Sequence, residues 1–133
     1  MRRGEILSLE WHNIDFERLI AFLPLTKNGA SREAPLSSKA ATILKQQKIK
    51  KHHVPFPITY NAFRLSWDKL KKRDAISDLK SHDLRHEAIS RFFEAGLRLV
   101  EVATISDHKD AKMLFSYTHL KAEEIAAKLQ RLV

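Results

Sequence analysis

The run His82-Asp83-Leu84-Arg85-His86 sets an imidazole and a guanidinium three positions apart. On a helix, positions i and i+3 share a face, so His82 and Arg85 point the same way. Ser81 just ahead is a good helix cap, and the free N–H groups and dipole of a first turn favour an anion. An imidazole and a guanidinium converging there form a phosphate cradle. Farther on, Asp107-His108 precedes Tyr117 by nine residues, within Met113-Leu114-Phe115-Ser116-Tyr117-Thr118-His119-Leu120. A phenol with a pKa of about 10 needs help losing its proton before it can attack an electrophile. His119, two positions on, does not share its helical face. Arg2-Arg3-Gly4-Glu5 and Lys27 of Lys27-Asn28-Gly29 complete the set. Each has a bland alternative when taken singly. H-x-x-R is a weak motif, and a half-buried tyrosine is ordinary. A basic N-terminus is usually solvated, and a turn lysine keeps a sheet edge soluble.

The background composition narrows what these groups would meet. The 133 residues carry a formal net charge of +8, with a sequence pI near 9.9. A small domain that basic suits a polyanion, nucleic acid first among them. Apolar residues make up 44%, enough for a core. With no cysteine, disulfides, zinc–cysteine sites and thiol nucleophiles are excluded, and the composition suits a reducing cytoplasm. No stretch approaches the roughly 20 apolar residues of a membrane span. The opening segment is basic, but Glu5 and Glu10 interrupt its apolar run, so it fails as a signal peptide.

The elements that must position these residues read as mostly helices with one small antiparallel β-sheet near the front. Residues 2 to about 11 predict a helix with no cap ahead of it, so an upstream segment is expected. Phe16 to Leu25 predicts a strand, Asn28-Gly29 a hairpin, and Arg32 to Leu36 the returning strand, with Pro35 marking an edge or an early strand end. Ser37 or Ser38 caps a predicted helix to about Lys50, with Ala41, Ile43, Leu44 and Ile49 apolar. Thr59 caps the next, whose buried side is predicted to carry Ala62, Phe63, Leu65, Trp67 and Leu70. Ser81 starts a helix to about Ala95, stopped by Gly96. Shorter helices over 97–106 and 111–117 follow. A last amphipathic helix spans 121–133, with Ile125, Leu129, Leu132 and Val133 on one side.

Taken in order, these motifs resemble the tyrosine recombinase (phage integrase) family over nearly the whole chain. MRRGEILSLEWHNIDF is similar to its first arginine box and LTKNGASREAPLS to its lysine hairpin. SHDLRHEAISRFFEAG is similar to its second box, and ISDHKDAKMLFSYTHL to its third box and nucleophile segment. The resemblance implies the tyrosine recombinase catalytic-domain fold of DNA breaking–rejoining enzymes. It implies one catalytic domain over 1–133, partial at its N-terminus, with the family's DNA-clamping domain outside the chain. In that family's terms, Arg2 and Arg85 hold the scissile phosphate, and His108 donates to a non-bridging oxygen. Lys27 protonates the leaving 5′ oxygen, His82 assists proton transfer, and Tyr117 forms a 3′-phosphotyrosine. Double-stranded DNA is the implied partner, with a homotetramer on DNA in the complete protein and no cofactor or metal. The chemistry is consistent. A phosphoryl transition state spreads negative charge that guanidiniums and an imidazole stabilise, and an ammonium can protonate a leaving alkoxide. Arg32 and Lys80, beside two of these segments, are plausible phosphate contacts or equally solvated charges.

One departure stands out. The family usually has glycine before the third-box histidine, where this chain has Asp107. Aspartate tolerates the left-handed conformation better than most residues, but a carboxylate pointing inward opposes anion binding. Two rival classes fit part of the pattern. A metal hydrolase would use His82, His86 and His108, but the second position of an HExxH motif is Asp83 here, and Arg85 would sit beside the metal. A catalytically silent DNA-binding fragment or regulator shares the basic charge and helices, and sequence separates it poorly. A type IB topoisomerase shares the chemistry but is disfavoured by the short length.

Overall fold

The computed structural model describes residues 1–25, 29–118 and 122–132. Within them the chain forms two compact units, Met1–Glu87 and Ala88–Val133. The first opens with a single helical turn, α1 (Arg3–Leu7), then a 3-10 turn over Trp11–Asn13. The continuous helix expected to about residue 11 stops early because Ser8 closes α1, its N–H bonding back to the Gly4 carbonyl at 3.0 Å. Three antiparallel strands follow: β1 (Ile14–Asp15), β2 (Ile20–Leu23) and β3 (Arg32–Pro35), with β2 central. The strand expected to start at Phe16 is broken for a local reason. The Asp15 carboxylate accepts the N–H groups of Glu17 and Arg18, at 3.0 and 2.8 Å, and Leu19 turns the chain at a φ of 55°.

Strand register decides what faces the core. Ala21 pairs with Ala34 and Leu23 with Arg32, while Phe22 pairs with Glu33 on the opposite face. Leu9, Ala21, Leu23 and Ala34 form a buried cluster that Met1, Leu36 and Phe56 complete. Pro35 ends β3 on the sheet edge, where its missing N–H costs no ladder bond. Residues 24–31 connect β2 to β3, and Lys27 and Asn28 of the expected hairpin tip lie outside the described residues.

Helix α2 (Ser38–Ile49) starts where Ser37 Oγ accepts the Ala40 N–H at 3.2 Å, and buries Ala41 and Leu44. Ile49, expected on the apolar side, is exposed. Helix α3 (Tyr60–Arg73) is capped by Thr59, whose Oγ1 accepts the Ala62 N–H at 3.2 Å. Its expected buried side is only partly covered: Leu65 and Leu70 are exposed, and Phe63 and Trp67 are half-buried and stacked on each other. Trp67 Nε1 donates to the Leu79 carbonyl at 3.3 Å and ties the 74–80 connection to this helix.

Helix α4 is Asp83–Glu94. Its first carbonyl acceptor is His82, and the Asp83 carboxylate turns back to the Lys80 N–H at 2.7 Å. It ends as expected at Gly96, whose φ of 87° allows the Leu97 N–H to reach the Phe92 carbonyl and its own N–H to reach Phe93. In the second unit, α5 (Leu99–Ser106), α6 (Lys112–Phe115) and α7 (Ala122–Gln130) follow. Ile89, Val102 and Leu114 form the core of this unit, with Phe92, Phe93, Leu97, Leu99 and Tyr117 packed around them. Ile125, Leu129 and Leu132, the expected stripe of the last helix, are exposed; Val133 lies outside the described residues.

Candidate active site

The first unit gathers Arg2, His82 and Arg85 into one positive neighbourhood. Arg2 caps α1, and its position is fixed by Glu5. The Arg2 N–H donates to Glu5 Oε2 at 2.6 Å, and its guanidinium reaches Oε1 at 3.2 Å. From β3, the Arg32 guanidinium donates to the same Oε2 at 3.0 Å. Strand alternation explains this: Arg32 shares the inward face with Ala34, and a guanidinium turned inward needs a counter-ion. The side chains of Glu5 and Arg32 are only 6% and 11% exposed, so this is a buried ion pair. Burial pushes the Glu5 carboxyl up, but the Arg2 N–H and the Arg32 guanidinium outweigh it and hold the group below its ordinary 4.5. From sequence alone Glu5 reads as an interruption of an apolar run, which hides this role. The signal was the glutamate three residues after an arginine with an inward-facing arginine on a nearby strand.

His82 and Arg85 flank the start of α4. The Arg85 N–H donates to the His82 carbonyl at 3.0 Å, so both belong to one turn. The His82 imidazole is held below its ordinary 6.5, first by partial burial, then by His86, Arg85 and Arg2, against the opposing pull of Asp83. A histidine held that way is neutral near pH 7 and can accept a proton. The same field acts on the Met1 amine, which burial lowers to about 6 with Arg85, Arg32 and Arg2 adding to the effect. His82 and His86 meet edge to face at 4.8 Å. Among the described residues, no group of three or more His, Asp or Glu side chains can hold a metal ion.

The second unit holds His108, Asp107 and Tyr117. Asp107 ends α5 in the left-handed conformation, with φ 60° and ψ 40°. That is a conformation glycine adopts freely and aspartate tolerates. Ser106, buried at the end of α5, touches both the Val102 carbonyl at 2.7 Å and His108 Nδ1 at 2.6 Å. A hydroxyl carries one proton and a carbonyl can only accept, so that proton goes to Val102 and Nδ1 must donate to Oγ. His108 Nε2 is then a donor only when the ring is cationic. The sequence signal for Ser106 is faint: a serine at the end of an apolar helix, two residues before a histidine. Tyr117 follows α6, its ring stacked on Phe93 at 6.5 Å and half-buried against the Ile89–Val102–Leu114 core.

Lys27, expected to be the general acid, lies outside the described residues. Arg32, expected to contact phosphate, is engaged with Glu5, and Lys80 is exposed beside the start of α4. Among the described residues, no helix is long and apolar enough to cross a membrane.

A model of the phage integrase family matches residues 1–124. The chain belongs to that family. It is 48% identical over 130 residues to a shufflon-specific DNA recombinase of Escherichia coli, covering 97% of this chain and 34% of that protein. A putative integrase/recombinase of Haemophilus influenzae is 40% identical over 116 residues, covering 86% of this chain and 38% of that one. This integrase-family chain therefore spans about a third of the length of the curated relatives it matches. Its fold is that of the tyrosine recombinase catalytic domain. The Tn1549 transposon integrase, solved in complex with a circular intermediate DNA, matches with a TM-score of 0.76 at 18% identity, covering all of this chain and 55% of that one. The XerA recombinase matches with a TM-score of 0.71 at 16% identity, covering 98% and 52%.

Proposed function

We propose that this chain breaks and rejoins double-stranded DNA at specific sites, through a 3′-phosphotyrosine on Tyr117. Family membership and fold support the reading. The observation that carries it is the gathering of Arg2, Arg85 and a neutral His82 in one positive field, with Arg2 fixed by the buried Glu5. We assign Arg2 and Arg85 to the non-bridging oxygens of the scissile phosphate, with His108 as a further donor to one of them. His82 takes the phenolic proton as the Tyr117 oxygen bonds to phosphorus and the bond to the 5′ oxygen breaks. Lys27 gives that 5′ oxygen its proton. The phosphoester on tyrosine conserves the energy of the linkage, so the reverse attack by a 5′ hydroxyl rejoins DNA without a nucleotide cofactor. Side-chain cations supply the charge stabilisation, so the reaction calls for no metal ion.

We extend this to residues 1–133 as a catalytic domain, to a homotetramer on DNA in the complete protein, and to the cytoplasm as its location. The relatives' printed functions, DNA recombination and integration, support the substrate class. A pool of nicked duplexes with randomised arms, which lose a short strand on cleavage and trap the covalent state, tests the reading. The complete protein is expected to give a DNA-linked band resistant to denaturant, absent in Tyr117→Phe. Salt-sensitive binding with no such band would leave a DNA-binding regulator instead.

A further inference from the structure

Arg3 neighbours Arg2, yet its half-buried guanidinium is engaged with side chains of two other segments of the first unit. Nη1 donates to Ser81 Oγ at 3.0 Å, and Nη2 donates to the Tyr60 hydroxyl. The Arg3 Cζ lies over the Tyr60 ring, 4.0 Å from the centroid, and 5.6 Å from the centroid of Phe63. These contacts join three elements far apart in sequence. Arg3 is the first residue of α1, Tyr60 the first of α3, and Ser81 immediately precedes His82. In so basic a chain, a cation with no such task would extend into water. A guanidinium carries two separate terminal nitrogens that can each reach a different acceptor while its carbon lies over an aromatic ring; an ammonium offers one nitrogen at one point and cannot span the same three contacts. A second tether on α3, from Trp67 to the Leu79 carbonyl, ties the segment leading to Ser81 to the same helix.

We propose that Arg3 is a positioning residue, which through Ser81 and Tyr60 fixes the spacing between Arg2 and the His82–Arg85 pair. The inference rests on the phosphate-binding role given to those three residues above. It makes Arg3 a strut of the cradle rather than a phosphate contact. Misplacing a binding group by about 1 Å can cost on the order of a hundredfold where alignment matters.

The test uses the complete protein with Arg3→Gln, Arg3→Lys and Tyr60→Phe. Inorganic phosphate is titrated and followed by NMR at the His82 ring protons, and binding to a nonspecific 30-base-pair duplex is measured across salt concentrations. We expect phosphate affinity to fall about five- to tenfold in Arg3→Gln, with Arg3→Lys failing to restore it and Tyr60→Phe falling part of the way. The salt slope of duplex binding is expected to stay at the parent's value. Restoration by lysine, or a slope smaller by about one, would make Arg3 a simple phosphate contact and overturn the inference. Variants that bind phosphate like the parent would also overturn it while leaving the cradle intact. A parent whose His82 does not respond to phosphate would sink the cradle itself. Tyr60→Phe keeps the ring and the fold, so a poorly folded Arg3 variant still leaves a decisive measurement.

Discussion

Removing the Glu5 carboxylate should destabilise this protein far more than loss of a surface charge. Three donors converge on it: the Arg2 N–H at 2.6 Å, the Arg2 guanidinium at 3.2 Å and the Arg32 guanidinium at 3.0 Å. An exposed ion pair is worth about 0–1 kcal/mol. At 6% and 11% side-chain exposure the pair with Arg32 falls in the buried class, where deleting one partner costs about 3–5 kcal/mol because the other charge is stranded. Glu5→Ala is therefore expected to lose about 3–5 kcal/mol in urea unfolding at pH 7, with a Tm lower by roughly 10–20 °C. The pair Glu5→Leu with Arg32→Leu should lose at least about 1 kcal/mol less than the sum of the two single changes, because no partner is stranded. The pH dependence has a defined sign. Glu5 is depressed below 4.5 in the folded state, so its contribution is fully present above 4.5 and is lost as pH falls through the depressed value. Glu5→Gln should lack that acid-side loss. A cost below about 1 kcal/mol for Glu5→Ala, or single changes that add within about 0.5 kcal/mol, would refute the buried-pair reasoning.

Other expectations follow from single contacts. Asp107→Val should cost about 1–2 kcal/mol, because a β-branched residue strains the left-handed conformation that Asp107 holds, whereas Asp107→Gly should retain stability; equal melting temperatures for the two would contradict this. Ser106→Ala removes the acceptor that orients His108 Nδ1 and should slow adduct formation about tenfold; Ser106→Thr, which keeps the hydroxyl, should recover most of the rate. The acid limb of cleavage, where His82 becomes protonated and ceases to accept a proton, should lie below pH 6.5 and vanish in His82→Gln.

The sequence foretold most where a local signal acts alone. Ser37 and Thr59 cap their helices and Gly96 stops α4, because each cap depends on a few neighbouring backbone groups. The order of boxes also made the family legible. What escaped was set by tertiary partners or short-range competition. The Asp15 carboxylate captured two N–H groups and broke the expected strand. The expected apolar side of α3 is half open to water, since periodicity tells which residues share a side but not what covers it. Glu5 looked like a polar interruption until the β2–β3 register turned Arg32 towards it. Arg3 read as one more exposed cation because its acceptors lie 57 and 78 positions away.

The most direct measurement is the mass of the Tyr117 peptide after the complete protein has reacted with nicked duplexes and been digested with nuclease and protease. A nucleotide joined to Tyr117 through its 3′ phosphate is the predicted product. An unmodified Tyr117 peptide beside a covalent adduct on another residue would contradict the mechanism.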